Sequence, residues 1–218
     1  MRISALCLSR GNQSMVDAAY ADWCEHGMGD EFVVACDEGS GVRVPEVRVE
    51  VPRGINLGAK RNAALRAATG NVIVVWDDDD GHAPRRVQTQ IEAICAGYDA
   101  TTLCEVMLEA DGRESLVASM PCGWPQTLAI RRRSLIGLGG WPETGRYDSD
   151  MALLMRIHGS CKTQRIRCET PLYTYRQHGE NVMGSRHWES IRRRAMTLET
   201  WRRVFRGGMS AEKQANVA

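Results

Sequence analysis

A short apolar segment that runs directly into four aspartates most restricts how this chain can fold. Val72–Trp76 contains five apolar residues in a row, and Asp77, Asp78, Asp79 and Asp80 follow without a break. A continuous apolar run of this length is typical of a strand that is buried on both faces of a sheet. Ligands of open parallel sheets bind beyond the carboxyl ends of the strands. The sequence therefore predicts a buried strand that delivers carboxylates to a ligand site, where a divalent cation would relieve their mutual repulsion.

The first half of the chain alternates between strand-like and helix-like patterns. Strands are predicted at Ile3–Leu8, Glu31–Cys36 and Val47–Val51, and helices at 13–26, at 57–69 and from Pro84 to about Ala96. Strands that alternate with helices form a mostly parallel sheet with helices on both faces. The length of 218 residues, with 43% hydrophobic and 25% charged, suits one globular domain. We therefore expect an α/β fold consisting of a single Rossmann-like domain.

The second half has shorter and more mixed patterns. Tyr98–Val106 and Ser115–Met120 are predicted strands, and Asp148–Ile157 is a predicted helix. A basic amphipathic helix is predicted over 186–206 and a flexible tail over 207–218. Arginines and two tryptophans are interleaved in 186–206, a pattern that suits binding to nucleic acid or another anionic acceptor. A solvated basic face on a closing helix is the alternative, and both interpretations stay open.

Charge, cysteine spacing and hydropathy argue against several classes of protein. The net charge is +1, so the chain as a whole does not attract one class of charged partner. No apolar run approaches the ~18 residues of a membrane span, and the N-terminus lacks a signal-peptide core. The eight cysteines contain no C-x-x-C pair and are predicted to be reduced, with Cys7, Cys36, Cys95 and Cys104 in apolar runs. We expect a cytoplasmic protein without a transmembrane segment.

Two further polar segments are expected at the same edge of the sheet. Asp37 and Glu38 follow the second strand, where carboxylates suit hydrogen bonds to a ribose hydroxyl or a base N–H. Residues 54–62 open the next helix with glycines, asparagines, Lys60 and Arg61, which suit contacts to phosphate or base. An ordinary turn and a capped helix with solvated basic side chains are the alternatives.

Taken in order, these motifs resemble those of family 2 glycosyltransferases, which have the GT-A fold. The resemblance covers residues 3 to 185. It implies one GT-A domain over 1–206, with a nucleotide-sugar-binding half at 1–106 and an acceptor and catalytic half at 107–185. It rests on Asn56-x-Gly58-x2-Arg61-Asn62, Gly70-Asn71, Val75-Trp76-Asp77-x-Asp79-Asp80, Gly139-Gly140-Trp141-Pro142-Glu143, Tyr147-Asp148-Ser149-Asp150-Met151 and Arg176-x-His178-x2-Asn181.

The same resemblance implies a role for individual residues. Asp79 and His178 are expected to bind Mn²⁺ or Mg²⁺. The family commonly has Glu-Asp where this chain has Tyr147-Asp148, so the catalytic base is either Asp148 or Asp150. On the acceptor side, the resemblance implies Gly140 and Trp141. The expected contacts of the nucleotide sugar are Leu8, Ser9, Arg10, Asp37, Glu38, Arg61, Asp77 and Asp78.

The reaction implied by the resemblance is a metal-dependent, inverting sugar transfer of the hexosyltransferase type. A nucleotide sugar, with UDP the expected nucleotide, donates to an acceptor hydroxyl in a single displacement assisted by a carboxylate base. A glycan or lipid-linked glycan is the first expectation for the acceptor, and modified-base DNA is the second.

Two other interpretations remain open. A haloacid-dehalogenase-like phosphatase or phosphotransferase also places D-x-D after a buried strand, although usually near the start of the chain. A non-catalytic binding module would use the basic C-terminal face and need neither Asp79 nor Asp148.

Two tryptophans lie in segments rich in glycine and proline. Trp124 follows Cys122-Gly123, and Trp141 follows Gly139-Gly140; each precedes a proline. An aromatic ring above the sheet edge suits stacking on a sugar ring, and packing in the core is an equal alternative.

Overall fold

A seven-stranded mixed sheet forms the centre of the protein in a computed structural model. The model describes residues 1–26, 28, 30–110, 113–143, 149–178 and 185–215, without the side chains of Ser185 and 209–215. The strands are β1 (Ile3–Ser9), β2 (Glu31–Asp37), β3 (Val47–Val51), β4 (Val72–Val75), β5 (Gly81–His82), β6 (Ala100–Leu103), β7 (Glu105–Ala110), β8 (Leu116–Ser119), β9 (Ala129–Arg131), β10 (Thr163–Ile166) and β11 (Tyr173–Gln177).

The large sheet has the order β10-β6-β9-β4-β1-β2-β3 and is parallel except at β9. β9 pairs antiparallel with both β4 and β6, while β1 pairs parallel with β2 and β4. β1, β2 and β4 are buried along nearly their whole length, as their continuous apolar sequences predict.

Helices cover both faces of this sheet. They are α1 (Gln13–His26), α2 (Leu57–Ala67), α3 (Arg86–Cys95), α4 (Arg132–Gly137), α5 (Ser149–Ser160), α6 (Ser185–Arg192) and α7 (Leu198–Ala215). On one face, α1 and α3 contribute residues such as Trp23 and Ile94 to a core with Trp76. On the other face, α2 and α5 contribute Leu65 and Ile157. This arrangement confirms the predicted α/β fold with a mostly parallel sheet between helices.

A second, smaller sheet, of order β5-β11-β7-β8, was not apparent in the sequence. The segment Tyr98–Val106, predicted as one strand, divides at Cys104 between β6 in the large sheet and β7 in the small one. The N–H of Cys104 donates to Ile166 at 2.8 Å, and its carbonyl accepts from the N–H of Met120 at 2.8 Å. These bonds to two distant segments hold the point where the chain changes sheets. The predicted boundary at 106/107 therefore falls inside β7.

The predicted C-terminal helix over 186–206 is wrong, because two helices occupy this part of the chain. Between α6 and α7, Met196 forms an antiparallel bridge with Val117, with N···O distances of 2.7 and 3.0 Å. Residues 207–215 continue α7, where a flexible tail was predicted. The residues after Gly207-Gly208 include Ala211, Glu212 and Lys213, which favour helix.

The tryptophans of this C-terminal segment do not lie on a basic surface. Trp188 is 1% exposed and packs on Tyr175, with ring centroids 4.3 Å apart. Trp201 is 2% exposed, and its indole Nε1 donates to the Cys168 carbonyl at 3.0 Å. The aromatic residues therefore attach the two helices to the protein, and they are not interleaved with the arginines on the surface.

Two further sequence expectations concern the cysteines and the membrane. All eight cysteines are free thiols, but Cys95 is exposed at the end of α3 although it lies in an apolar run. No helix in the described ranges combines the length and apolar character that a membrane crossing requires.

Candidate active site

A cleft of about 370 Å³ opens at the carboxyl edge of the large sheet. Its floor comes from the ends of β1 and β4, where the continuous apolar sequences give way to polar residues. Side chains from α2, α5 and the small sheet form the walls. Of the residues predicted from sequence, the cleft is lined by Leu8, Ser9, Arg10, Arg61, Asp77, Asp78, Asp79, Asp150 and His178.

Arg61 joins two acidic residues across the cleft. Its Nε lies 2.9 Å from Asp150 Oδ1, and its Nη2 lies 3.1 Å from Asp77 Oδ1 and 3.3 Å from Asp150 Oδ2. Burial alone would lower the pKa of Arg61, but the carboxylates of Asp150 and Asp77 raise it above its ordinary value. Nη1 of this buried guanidinium has no hydrogen-bond partner in the described part of the chain. Arg61 is therefore a fixed cation that holds Asp77 and Asp150 in place.

The four aspartates after β4 have different surroundings. Asp78 is largely buried, which raises its pKa to about 7 although Ser9 hydrogen-bonds to it. Burial also raises the pKa of Asp77, and Arg61 opposes that shift. Asp80 accepts hydrogen bonds from the Tyr173 hydroxyl and, at 2.9 Å, from the backbone N–H of Arg176. Asp80 is therefore tied to β11 through protein partners.

Asp79 and His178 form a pair at the mouth of the cleft. Asp79 Oδ2 and His178 Nε2 lie 2.9 Å apart, although the residues are 99 positions apart in sequence. Two cis ligands of an octahedral ion at ~2.0–2.1 Å lie about 2.9 Å apart, so this spacing suits a shared cation as well as a hydrogen bond. Among the described residues, no third Asp, Glu, His or Cys completes a metal-binding group. A carboxylate and an imidazole fit a divalent cation that takes its other ligands from substrate phosphates and water.

A buried cation lies behind the acidic turn and was missed by the sequence reasoning. Arg86 is fully buried, and its Nη2 donates to the Val75 carbonyl at 2.8 Å. Its guanidinium lies 5.3 Å from the Trp76 ring centroid and 4.9 Å from that of Tyr173. Burial lowers the pKa of Arg86 to about 10, so it stays charged at neutral pH. Four adjacent carboxylates repel one another, so a nearby positive charge stabilises them. The sequence Arg85-Arg86 does not indicate which of the two arginine side chains points inward.

Asp37 and Glu38, predicted to hold the nucleotide, do not line the cleft. Lys60, a buried residue of α2, lies with its Nζ 2.5 Å from Asp37 Oδ1 and 2.6 Å from the Ser9 carbonyl. Glu38 is exposed, and its carbonyl accepts from Arg53 Nε at 2.9 Å. Asp37 therefore fixes Lys60 against the end of β1.

Gly140 and Trp141 do not contact the cleft, contrary to the acceptor role predicted for them. Trp141 is 2% exposed and belongs to the core beneath α2 and α5. Asn62 holds its backbone, because Nδ2 donates to the Trp141 carbonyl at 2.9 Å and Oδ1 accepts from its N–H at 2.8 Å. The apolar indole is better placed in the core than in water, and Gly140 supplies the positive φ of 74° that turns the chain towards Asn62.

The other predicted catalytic residues divide between described and undescribed parts of the chain. Asp150 lines the cleft, whereas Asp148 lies outside the described residues, as does Asn181 of the His178 motif. Several lining residues escaped the sequence reasoning, although some adjoin recognised motifs. They are Asn12, Met15, Leu57, Met120, Pro125, Gln126, Met151, Tyr175 and His187.

The fold is similar to that of TarS from S. aureus. TarS residues 1–349 in complex with UDP-GlcNAc match with a TM-score of 0.64 and 13% identity, over 85% of this chain and 61% of that chain. The corresponding complex with UDP gives 0.63 and 14%, over 88% and 69%. A further structure of TarS gives 0.62 and 14%, over 81% and 37%. The chain thus spans well under the full length of TarS, and at this identity the likeness confirms the fold alone.

Sequence comparison identifies the family. No curated protein matches the chain. The family described as Glycosyl transferase family 2 matches residues 43–156, which is more than half of the chain and includes the acidic turn, Arg61 and Asp150. The chain therefore belongs to glycosyl transferase family 2.

Proposed function

We propose that the protein transfers a sugar from a nucleotide sugar, with UDP as the nucleotide, to an acceptor hydroxyl. The observation that carries this proposal is the acidic cleft in which Arg61 joins Asp77 to Asp150 beside the Asp79–His178 pair. Family membership supports the reaction class and argues against the phosphatase alternative. TarS, whose fold is similar, has been solved with UDP-GlcNAc and with UDP.

On the donor side, we assign the diphosphate to the mouth of the cleft near Asp79, His178 and Arg61. Asp79 Oδ2 and His178 Nε2 would hold Mn²⁺ or Mg²⁺. When bound, the cation neutralises the negative charge that develops on the departing diphosphate. Nη1 of Arg61, which has no hydrogen-bond partner among the described residues, would be a further donor for a phosphate oxygen or a sugar hydroxyl.

For the catalytic base, we assign Asp148 rather than Asp150. A base must accept the proton of the acceptor hydroxyl as that oxygen attacks the donor sugar. Both oxygens of Asp150 already contact the buried Arg61, so its protonation would weaken an ion pair that holds the site together. Asp148 lies two residues earlier and matches the base of the family motif. Attack opposite to the leaving diphosphate then inverts the configuration of the sugar.

The donor assignment is tested by calorimetric titration with UDP, GDP, CDP and dTDP, with and without Mn²⁺. We expect Mn²⁺-dependent binding of UDP that Asp79→Asn abolishes. Asp17→Asn on the exposed face of α1 is the matched control and binds as wild type. The proposal fails if no diphosphate binds, or if Asp79→Asn binds UDP with unchanged dependence on Mn²⁺.

A second pair of variants tests the base. We expect Asp148→Asn to bind UDP normally and to lose the release of UDP from the donor by ~10²–10⁴-fold. Asp150→Asn should lose UDP binding as well, because Arg61 then lacks one of its two partners. Normal turnover by Asp148→Asn would refute the assignment.

A further inference from the structure

The Asp79–His178 pair lies where the two sheets meet. Asp79 follows β4 of the large sheet, whereas His178 follows β11 of the small sheet. The 2.9 Å between their side chains therefore depends on how the two sheets are held against each other. Directly after the acidic turn, β5 pairs with β11 through only Gly81 and His82. Backbone pairing of two residues contributes little by itself, so side chains must hold this junction.

Arg86 bonds to both sheets at this junction. On the side of the large sheet, its Nη2 donates to the carbonyl of Val75, the last residue of β4, at 2.8 Å. On the side of the small sheet, its Nη1 donates to Nδ1 of His82 in β5. Its guanidinium also lies 4.9 Å from the ring centroid of Tyr173 in β11. One planar group thus connects the end of β4 to two strands of the small sheet.

The side chains around Arg86 hold its guanidinium in place. Arg86 is 0% exposed, and Trp76 stacks on His82 with ring centroids 3.6 Å apart. Burial, together with Arg86, lowers the pKa of His82, so its ring is neutral and Nδ1 accepts the hydrogen bond. A lysine could not make both bonds in the same way, because only a guanidinium carries several donors in one fixed plane.

The same junction is bonded to the acidic turn through Tyr173. The Tyr173 hydroxyl donates to Asp80, which also accepts from the backbone N–H of Arg176 at 2.9 Å. Asp80 immediately follows Asp79, and Arg176 is two residues before His178. A displacement of the small sheet would therefore move the imidazole relative to the carboxylate.

We infer that Arg86 is a positioning residue that joins the two sheets and thereby places Asp79 against His178. Arg86 does not line the cleft, so it acts through these two residues and not on a ligand. The inference rests on the proposed function, in which the pair binds a divalent cation. It adds a residue behind the cleft on which the affinity for that cation depends. Replacing a group that orients metal ligands from behind typically costs ~10–100-fold in metal affinity.

The first experiment measures the affinity for Mn²⁺ from the EPR signal of the free ion. Arg86→Met removes the guanidinium, and we expect it to weaken Mn²⁺ binding by about tenfold. Arg86→Lys keeps a positive charge but not the planar donors, and Tyr173→Phe removes only the bond to Asp80. Each of these milder variants should weaken binding by about threefold, and they decide the result if Arg86→Met does not fold.

Arg131→Met is the matched control. Arg131 also bonds to two carbonyl groups, because its Nε donates to Tyr98 at 3.1 Å and its Nη2 to Ile94 at 2.5 Å. It lies at the opposite edge of the large sheet, where it pairs with Val72, the first residue of β4. This variant should lose stability and still bind Mn²⁺ as wild type.

A double variant separates positioning from a loss of stability. His178→Ala removes one member of the pair, so no pair remains to be aligned. In that background, Arg86→Met should change the affinity for Mn²⁺ by less than about twofold. A loss of affinity that came from destabilisation alone would be the same in both backgrounds.

Hydrogen exchange in chelator-treated protein examines the junction without metal. The N–H of Ala83 donates to the Leu172 carbonyl at 3.1 Å, and the N–H of Arg176 donates to Asp80, so both connect the acidic turn to the β11 segment. We expect Arg86→Met to accelerate exchange of these two amides by at least about tenfold relative to the amides of β1, which report global unfolding. The control variant should show no such difference.

The possible outcomes separate the inference from the proposed function. The inference is overturned if Arg86→Met binds Mn²⁺ as tightly as wild type, if its loss of affinity persists undiminished in the His178→Ala background, or if the two amides exchange as in the control. It is also overturned if Arg86→Lys behaves as wild type, because the positive charge alone is then sufficient. If wild-type protein binds no Mn²⁺, the proposed function is contradicted, and the exchange rates alone decide whether Arg86 joins the sheets.

Discussion

Replacing Gly140 with alanine tests how the core beneath the cleft is held. Gly140 has φ of 74°, and an added Cβ would lie 2.4 Å from Oδ1 and 3.2 Å from Cγ of Asn62. Asn62 is buried. Its side-chain amide bonds to the N–H and to the carbonyl of Trp141, and its Nδ2 also lies 2.9 Å from Glu143 Oε1. Gly140→Ala must therefore displace an amide that makes three hydrogen bonds.

The neighbouring glycine offers a matched control. Gly139 also has positive φ, 83°, but its added Cβ would meet nothing within 4 Å. A left-handed conformation costs an alanine ~1–2 kcal/mol, which both variants share. Only Gly140→Ala also loses the Asn62 bonds, at ~0.5–1.5 kcal/mol each. If two of the three are lost, we expect Gly140→Ala to be destabilised by ~2 kcal/mol more than Gly139→Ala.

Thermal and urea unfolding of the two variants measure this difference. For a chain of this length, ~2 kcal/mol corresponds to a Tm about 4–8 °C lower for Gly140→Ala than for Gly139→Ala. In an Asn62→Ala background the clash with Oδ1 is removed, so Gly140→Ala should then cost no more than Gly139→Ala. If the two glycine variants lose equal stability in the wild-type background, the contact with Asn62 does not make Gly140→Ala more destabilising than Gly139→Ala.

Three further predictions concern groups around the acidic turn. Tyr173→Phe removes a donor to the buried Asp80 and should lower the free energy of unfolding by ~1–3 kcal/mol in urea titrations. Lys60→Met leaves Asp37 without its ion-pair partner and should lower it by ~3 kcal/mol, whereas Lys60→Met combined with Asp37→Leu should recover part of that loss. In chelator-treated protein, the raised pKa of Asp78 (about 7, against 3.8) means that the folded state holds this proton more tightly. Asp78 therefore contributes stability that is present at about pH 4 and is lost as pH rises to about 7, and Asp78→Asn should lack this contribution.

The large sheet was predictable from sequence because local patterns determine most of it. The continuous apolar residues of β1, β2 and β4 can only be buried in a sheet covered on both faces. The helix predicted over 13–26 has the bounds of α1, since its apolar residues follow helical spacing and polar residues flank it. In these segments, local preference and the tertiary fold agree.

The small sheet was only partly predictable, because β7 and β8 are neighbours in sequence whereas β5 and β11 come from distant parts of the chain. β5 contains only Gly81–His82 and exists because it pairs with β11, about ninety positions later. The break between α6 and α7 likewise depends on the bridge from Met196 to Val117. Nothing local in either segment signals these partners, so sequence patterns favoured longer, uninterrupted elements.

The residues of the candidate site were predictable only where their motifs, taken in order, resembled those of the family. The approach of Asp79 to His178 was expected from the family resemblance, whereas no periodicity relates two residues 99 positions apart. The acceptor role predicted for Trp141 did not match the structure, because the Trp141 side chain is buried in the core. Trp141 was assigned to the acceptor because its loop resembles the family motif, but an indole next to a glycine turn fits the core equally well.

The four aspartates after β4 form one run in the sequence but are separated by their partners in the fold. Asp80 takes two donors from β11, and Asp77 takes Arg61, so these carboxylates connect parts of the protein. Asp79 instead faces His178 at the mouth of the cleft, where both side chains are partly exposed. A carboxylate with buried protein partners has little capacity left for a ligand, whereas Asp79 and His178 are partly exposed at the mouth of the cleft, where a ligand can reach them. The acidic run thus combines structural anchors with a candidate ligand group, and the partners of each aspartate distinguish them where the residue type does not.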